Sequence, residues 1–414
     1  MRRNLLFITA FITGGYAFAQ ITDTVSMGTG YTNENYYMLD NSNEVAITRN
    51  DWDLAFASDG VGFGSSTIRI NGSMGTELYK YSNSIGDWAT VDTTGFTWSN
   101  NQLINSDTSW TTGAFENTAP ASGFDLGWGT YSQITHVVTG DRIFILKLAN
   151  GDYKKMIVNS LISGVYSFQY ADLNGSNLVN ATVTKSNYSG KNFGYYSIQN
   201  DTALDREPAS TSWDLLFTKY VTDLGAGTYY GVSGVLANIN VKLAQVYPVN
   251  DVNIEPYTGQ NYTFDIGTIG YDWKSFNMST FQYDIEDSLV FFAEIPNEDV
   301  YRIIFTGFGG SSTGDFIFTK ELVGTVGIEN DVKKDKILNV YPNPTTSAIN
   351  LTFISDDNTH IALYDVTGKQ VFTKTSSNTG LTQEKINVSN LKKGIYFLML
   401  TTAKNKSTQK IIIK

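Results

Sequence analysis

The chain has 414 residues, with two histidines, seven methionines and no cysteine, so few side chains could serve as nucleophile, base or soft ligand. Without cysteine, disulfides, thiolate nucleophiles and thiolate metal sites are excluded. His360 lies near the C-terminal end, which leaves His136 as the one imidazole in the body, within Tyr131-Ser132-Gln133-Ile134-Thr135-His136-Val137-Val138. Any histidine-based triad would have to be built on it. No His-Glu-x-x-His pair is present. A single histidine among apolar neighbours reads first as a hydrogen-bonded structural residue and second as a ligand. Carboxylates are plentiful, 40 Asp and Glu, but no pair is placed so as to mark glycoside hydrolysis.

Other chemistry-bearing stretches have structural readings. Asp172-Leu173-Asn174-Gly175-Ser176-Asn177 resembles a calcium loop but lacks the distal bidentate Glu, so a hairpin turn is expected. The Gly-rich run at 307–314 has no following Lys or helix to hold phosphate and reads as a flexible connection. Trp88, Trp98, Trp110 and Trp128 fall in a Ser- and Thr-rich insertion. They form either a recognition platform or, more simply, core.

The elements that would position these residues are strands, because no long stretch sustains a helical period. The body repeats itself. Tyr36-Tyr37 followed by Trp52-Asp53-Leu54-Ala55-Phe56 reappears as Tyr195-Tyr196 followed by Trp213-Asp214-Leu215-Leu216-Phe217. Each copy ends in a hairpin, Arg142 to Val158 and Ser288 to Phe305, with a closing strand after it. Alternation places Trp, Leu and Phe on one strand face. Asp53 and Asp214 then fall on the other, where they can accept backbone N–H groups or hold a cation.

Both ends differ from the body. Residues 333–414 carry twelve Lys against five acidic residues, whereas 20–332 carry fifteen Lys and Arg against thirty-five. An acidic body disfavours nucleic acid, whose phosphates need a basic surface. At the other end Arg2-Arg3, an apolar run and Ala17-Phe18-Ala19 before Gln20 read as a signal peptide cleaved between Ala19 and Gln20. No apolar run is long enough for a transmembrane helix.

The tail is similar to the type A sorting domain of the type IX secretion system of Bacteroidetes. Its carriers are Val340-Tyr341-Pro342-Asn343-Pro344, Leu363-Tyr364-Asp365-Val366-Thr367-Gly368-Lys369, Leu391-Lys392-Lys393-Gly394-Ile395-Tyr396 and Lys410-Ile411-Ile412-Ile413-Lys414. That resemblance implies recognition by the secretion machinery, then release or attachment to surface lipopolysaccharide.

The repeated body signature, with Ile68-Arg69-Ile70-Asn71-Gly72 and Leu148-Ala149-Asn150-Gly151-Asp152-Tyr153-Lys154, resembles the HmuY family of haem-binding surface proteins. The second copy lacks the Asn-Gly element after Phe217. This resemblance implies an antiparallel β fold, haem sequestration and no turnover. Haem iron takes His, Met, Tyr or Cys donors, so the haem donors on offer are His136 with Met74 or Met156, or the two methionines together.

The expected organisation is all-β: a signal peptide (1–19), two tandem antiparallel β modules (20–190 and 191–326), a linker (327–336) and a small C-terminal β-sandwich sorting domain (337–414). The expected role is non-catalytic binding at the cell surface or outside it, with haem as the specific ligand and carbohydrate or adhesion as the alternative.

Overall fold

The computed structural model describes residues 20–58, 61, 65–117, 123–225, 227–325, 336–355, 358–377, 380–401 and 406–414. The leader, including Ala19, and the linker up to residue 335 lie outside them. Strands are the dominant elements of the described chain, with only short helical turns between them, and the chain divides into two units, 1–326 and 327–414.

The first unit holds two sandwiches built on one plan. In one, an outer sheet runs Val179–Thr184, Val165–Asp172, Tyr153–Ile162, Ile143–Lys147, Glu77–Ser82 and Gln102–Leu103. Its inner sheet runs Thr202–Leu204, Phe193–Ser197, Leu54–Ala57 and Ile68–Ile70. The other has an outer sheet of Ile21–Ser26, Asp315–Thr325, Asp299–Phe308, Val290–Glu294 and Lys242–Val246. Its inner sheet is Tyr229–Ala237, Leu215–Asp223, Asn33–Tyr37 and Glu44–Thr48.

The repeats do not fold as separate tandem modules. The double-tyrosine strand of each copy pairs with the Trp-Asp strand of the other: Tyr37 lies opposite Leu215, and Tyr196 opposite Leu54. Hydrogen bonding therefore divides the body near residues 50 and 205 rather than at 190. Residues 52–204 form one sandwich, and the flanking segments form the second around Phe217, Phe291 and Phe318. Ile21–Ser26 closes the second sandwich against Asp315–Thr325, as Val179–Thr184 closes the first against Val165–Asp172.

The central inner strands Leu54–Ala57 and Phe193–Ser197 are buried on both faces, so they do not alternate between apolar and polar residues. Leu54 and Phe56 enter the core of their own sandwich, while Ala55 and Ala57 face the other inner sheet. Leu215 and Phe217 likewise part from Leu216. The tryptophans depart from the expected face. The strands begin at Leu54 and Leu215, so alternation does not extend back to Trp52 or Trp213. Both rings pack between the inner sheets instead.

The second unit is a sandwich of three and four strands. Ile349, Leu351 and Phe353 are fully buried, facing Ile361, Leu363, Leu398 and Ile411, as their alternation requires. Asn343 of the Tyr-Pro-Asn-Pro motif binds the last strand with both ends of its amide, donating to the Lys410 carbonyl at 2.8 Å and accepting from the Ile412 N–H at 2.9 Å. The Asp365 carboxylate accepts the N–H groups of Thr367 and Lys369 at 2.9 and 3.1 Å. It thereby closes a turn in which Gly368 has φ +83, a conformation that suits glycine.

Candidate binding site

The space between the two inner sheets is organised by residues that repeat. Each Trp-Asp pair precedes an inner strand, and its Asp caps the double-tyrosine strand of the other copy. Asp53 accepts the Ile198 N–H at 2.8 Å, and Asp214 accepts the Leu39 N–H at 2.8 Å. Of the two roles open to these carboxylates, they take the backbone one. Each Trp then stands edge-on to a tyrosine on the strand so capped, Trp52 against Tyr195 at 5.0 Å between centroids and Trp213 against Tyr36 at 5.1 Å.

Asn71 and Asn238 lock the other side of each Trp-Asp corner. Asn71 donates from its amide to the carbonyls of Arg49 and Trp52, and Asn238 to those of Ser210 and Trp213. The second copy therefore keeps the asparagine it seemed to lack. A longer connection carries Asn238 further from Phe217, so a fixed spacing could not find it.

Beside the aromatic pairs lies a buried charge cluster. Arg206 Nη1 donates to Glu34 Oε1 at 2.5 Å, Nη2 donates to the Thr48 carbonyl at 2.6 Å, and Nε is 3.0 Å from Asp51 Oδ1. The guanidinium carbon sits 5.0 Å from the Tyr195 ring centroid and 5.7 Å from that of Trp52. Burial opposes the charge of Arg206, but Glu34, the tyrosines and Asp51 more than offset it and raise its pKa. Glu207 accepts the Asn192 N–H at 2.9 Å and the Tyr195 hydroxyl at 2.8 Å. Burial nevertheless pushes its carboxyl up to about 7. The sequence offered no spacing that would join Glu34 to Arg206, 172 positions apart; only the strand exchange brings them together.

These residues surround a cavity of about 110 Å³. A water needs about 10–15 Å³ on this measure, so the space suits roughly seven to eleven waters or one small ring. Trp52, Trp213, Trp110, Tyr36 and Tyr195 supply aromatic wall, and Asn192, Thr218 and Ser73 supply polar groups. Three polar atoms of lining residues are buried without a hydrogen-bond partner: Trp52 Nε1, Trp213 Nε1 and Asn192 Oδ1. Each has under 1 Å² of accessible surface, so they lie behind the cavity surface rather than on it.

None of the three sequence-derived haem donors lines this cavity. Met156 is fully buried in the core of the first sandwich. His136 stands in an exposed turn with φ +56, its Nδ1 2.7 Å from the Tyr131 hydroxyl. Met74 closes a 3-10 turn, Gly72–Met74. Of the four insertion tryptophans, Trp128 is fully buried and donates to the Ser66 carbonyl at 3.1 Å. Trp110 donates to the Ala237 carbonyl at 2.7 Å. Trp98 packs on Tyr79, Phe96 and Tyr153, and Trp88 lies under the Lys155 ammonium. Asp172 pairs with Lys154 at 2.5 Å and binds Ser176 and Asn177, which makes it a turn residue. Among the described residues no group of three or more His, Asp or Glu is placed to hold a metal ion.

Residues 339–414 match the secretion system C-terminal sorting domain family. The tail is an export signal. The protein is thus exported to the cell surface or the medium, and its partner on that route is the type IX secretion machinery. No described helix is long and apolar enough to cross a membrane. No curated protein matches the chain. Two solved structures are similar at a low level. Dimeric latent PorU from Porphyromonas gingivalis is 10% identical with a TM-score of 0.19, over 67% of this chain and 26% of that one. The BSP domain of a biofilm associated protein is 9% identical with a TM-score of 0.17, over 97% and 67%. The chain spans about a quarter of the PorU chain, and likeness this loose carries nothing about the body's activity.

Proposed function

We propose that the exported body is a binding protein rather than a catalyst, and that it holds a small molecule between its inner sheets. The observation that supports this reading is the cavity of about 110 Å³ between the inner sheets, walled by Trp52, Trp213, Trp110, Tyr36 and Tyr195. The carboxylates near the cavity are engaged by the protein itself, Glu34 by Arg206 and Thr218 and Glu207 by Asn192 and Tyr195.

Haem, the ligand implied by the HmuY resemblance, finds less support here, because none of His136, Met74 and Met156 lines the cavity. Attachment to lipopolysaccharide after removal of the tail remains the second half of the export proposal.

The test is a cavity-filling variant. Ala55 lines the cavity and is 2% exposed, so Ala55→Phe would occupy it. Small-molecule fractions from the organism's medium should raise the melting temperature of the wild type and leave Ala55→Phe unmoved. Equal shifts in both proteins would refute the cavity as the site. A saturable haemin Soret shift lost in His136→Ala would restore haem.

A further inference from the structure

We infer that the secretion machinery grips the sorting domain on the outer face of its four-stranded sheet, through an apolar stripe centred on Phe397 and edged by lysine. The sheet runs Gln370–Ser376, Thr359–Asp365, Gly394–Thr401 and Lys406–Ile413. Its inner face is the core of the unit, where Tyr396, Leu398 and Leu400 of the third strand are buried. Alternation sends Ile395, Phe397 and Met399 of that strand to the outer face. The register sets Ile412 beside Ile395, with Tyr364 and Lys410 on either side of Phe397. Ile395 and Phe397 are 42% and 39% exposed.

The facing sheet behaves in the ordinary way, which makes this face a local departure. An antiparallel sheet over a single core alternates apolar-in with polar-out. Ile349, Leu351 and Phe353 point to the core, while Asn350 and Thr352 point away from it, opposite Lys385 and Gln383. Gly394–Thr401 instead reads Gly-Ile-Tyr-Phe-Leu-Met-Leu-Thr. The core takes only every second one of those side chains, so folding alone does not account for Ile395, Phe397 and Met399. A contiguous apolar stripe left on the surface fits a partner.

Charge states which partner. Residues 333–414 carry twelve Lys against five acidic residues, a net +7, and residues 20–332 carry fifteen Lys and Arg against thirty-five, a net −20. Exposed Lys410 borders the stripe, and exposed Lys392 and Lys393 lead into its central strand. Asp365 is the one acidic residue in the four strands. It lies opposite core Tyr396, and its carboxylate accepts the Lys369 N–H of its own turn. A receptor with an apolar centre and a rim of carboxylates therefore attracts the tail and repels the body, which brings the chain on tail first. Export by this tail requires a surface that a receptor reads; the stripe supplies that surface, and its lysines set the charge of the receptor.

Fractionation of the native host expressing the full chain tests the inference. Phe397→Ser with Ile395→Thr removes the stripe, and Lys410→Glu with Lys393→Glu reverses its edge. Asn350→Ser with Thr352→Ser alters the outer face of the other sheet as a control. The stripe and edge variants should each lower the extracellular amount by about tenfold or more, as loss of a central interface anchor does. Precursor should accumulate inside the envelope, and the control should be exported normally. Urea unfolding of the purified full chains checks that the tail stays folded; should the stripe variant unfold, the edge variant decides, because both of its side chains are exposed. Normal export of the folded variants, or equal loss in stripe and control variants, overturns the inference. So does a wild-type dimer that the stripe variant splits while export continues, since the face would then belong to a second copy.

Discussion

The carboxylate of Asp53 accepts the backbone N–H of Ile198 at 2.8 Å, across 145 positions of chain and from one repeat to the other. Asp214 returns the contact to Leu39. These two bonds seat each double-tyrosine strand against the Trp-Asp corner of the opposite copy, and so fix the aromatic wall of the cavity. Asp53→Ala should lower stability by about 1–3 kcal/mol, since it strands a buried N–H. Asp53 also receives Gln199 through its N–H and side-chain amide at 3.2 and 3.1 Å. Urea unfolding should therefore find Asp53→Ala more damaging than Asp214→Ala.

Arg206 and Glu34 form a buried pair with side chains 4% and 7% exposed. Removing one partner leaves the other charged and enclosed, which costs about 3–5 kcal/mol. Arg206→Met should thus unfold at clearly lower urea, and Arg206→Met with Glu34→Gln should recover much of the loss. A double variant no more stable than the single would contradict the pairing.

Glu207 gives the body a pH dependence of unusual sign. Burial raises its folded pKa from 4.5 to about 7, so the folded chain holds this proton more tightly than the unfolded chain. The stabilisation is complete below about pH 4.5 and is lost as pH rises through about 7. Melting curves should show Glu207→Gln losing less stability than wild type between pH 5 and pH 8. Parallel curves would mean that Glu207 does not titrate in this window.

The sequence made part of this legible and hid the rest for identifiable reasons. Strand identity, the two closing hairpins and the tail could be read because each depends on local alternation and turn residues, as at Ile349, Leu351 and Phe353. The repeat was visible as well, yet the partner of each strand was not. Tyr37 pairs with Leu215 rather than with anything in its own copy, and no local pattern encodes that choice. Trp52 was placed on the wrong face because the strand starts only at Leu54. Asn238 was missed because its connection is longer than that of Asn71. Arg206 and Glu207 stand as a charged pair before Pro208, but their role depends on Glu34 and Tyr195, which only the fold brings near.

The tail makes a separate prediction about location. Deleting residues 337–414 should leave the body's melting transition in place, since the two units have separate cores. The truncated protein should be retained inside the cell envelope, as cell fractionation would reveal. Normal appearance outside the cell would contradict the assignment of residues 339–414 as the export signal.

The most direct measurement is a high-resolution crystal structure of the protein recovered after native export, with attention to the space beside Trp213 and Asn192. The account predicts continuous density for one small molecule against the Trp52, Trp110 and Trp213 rings. Separate water peaks alone in that space would contradict it.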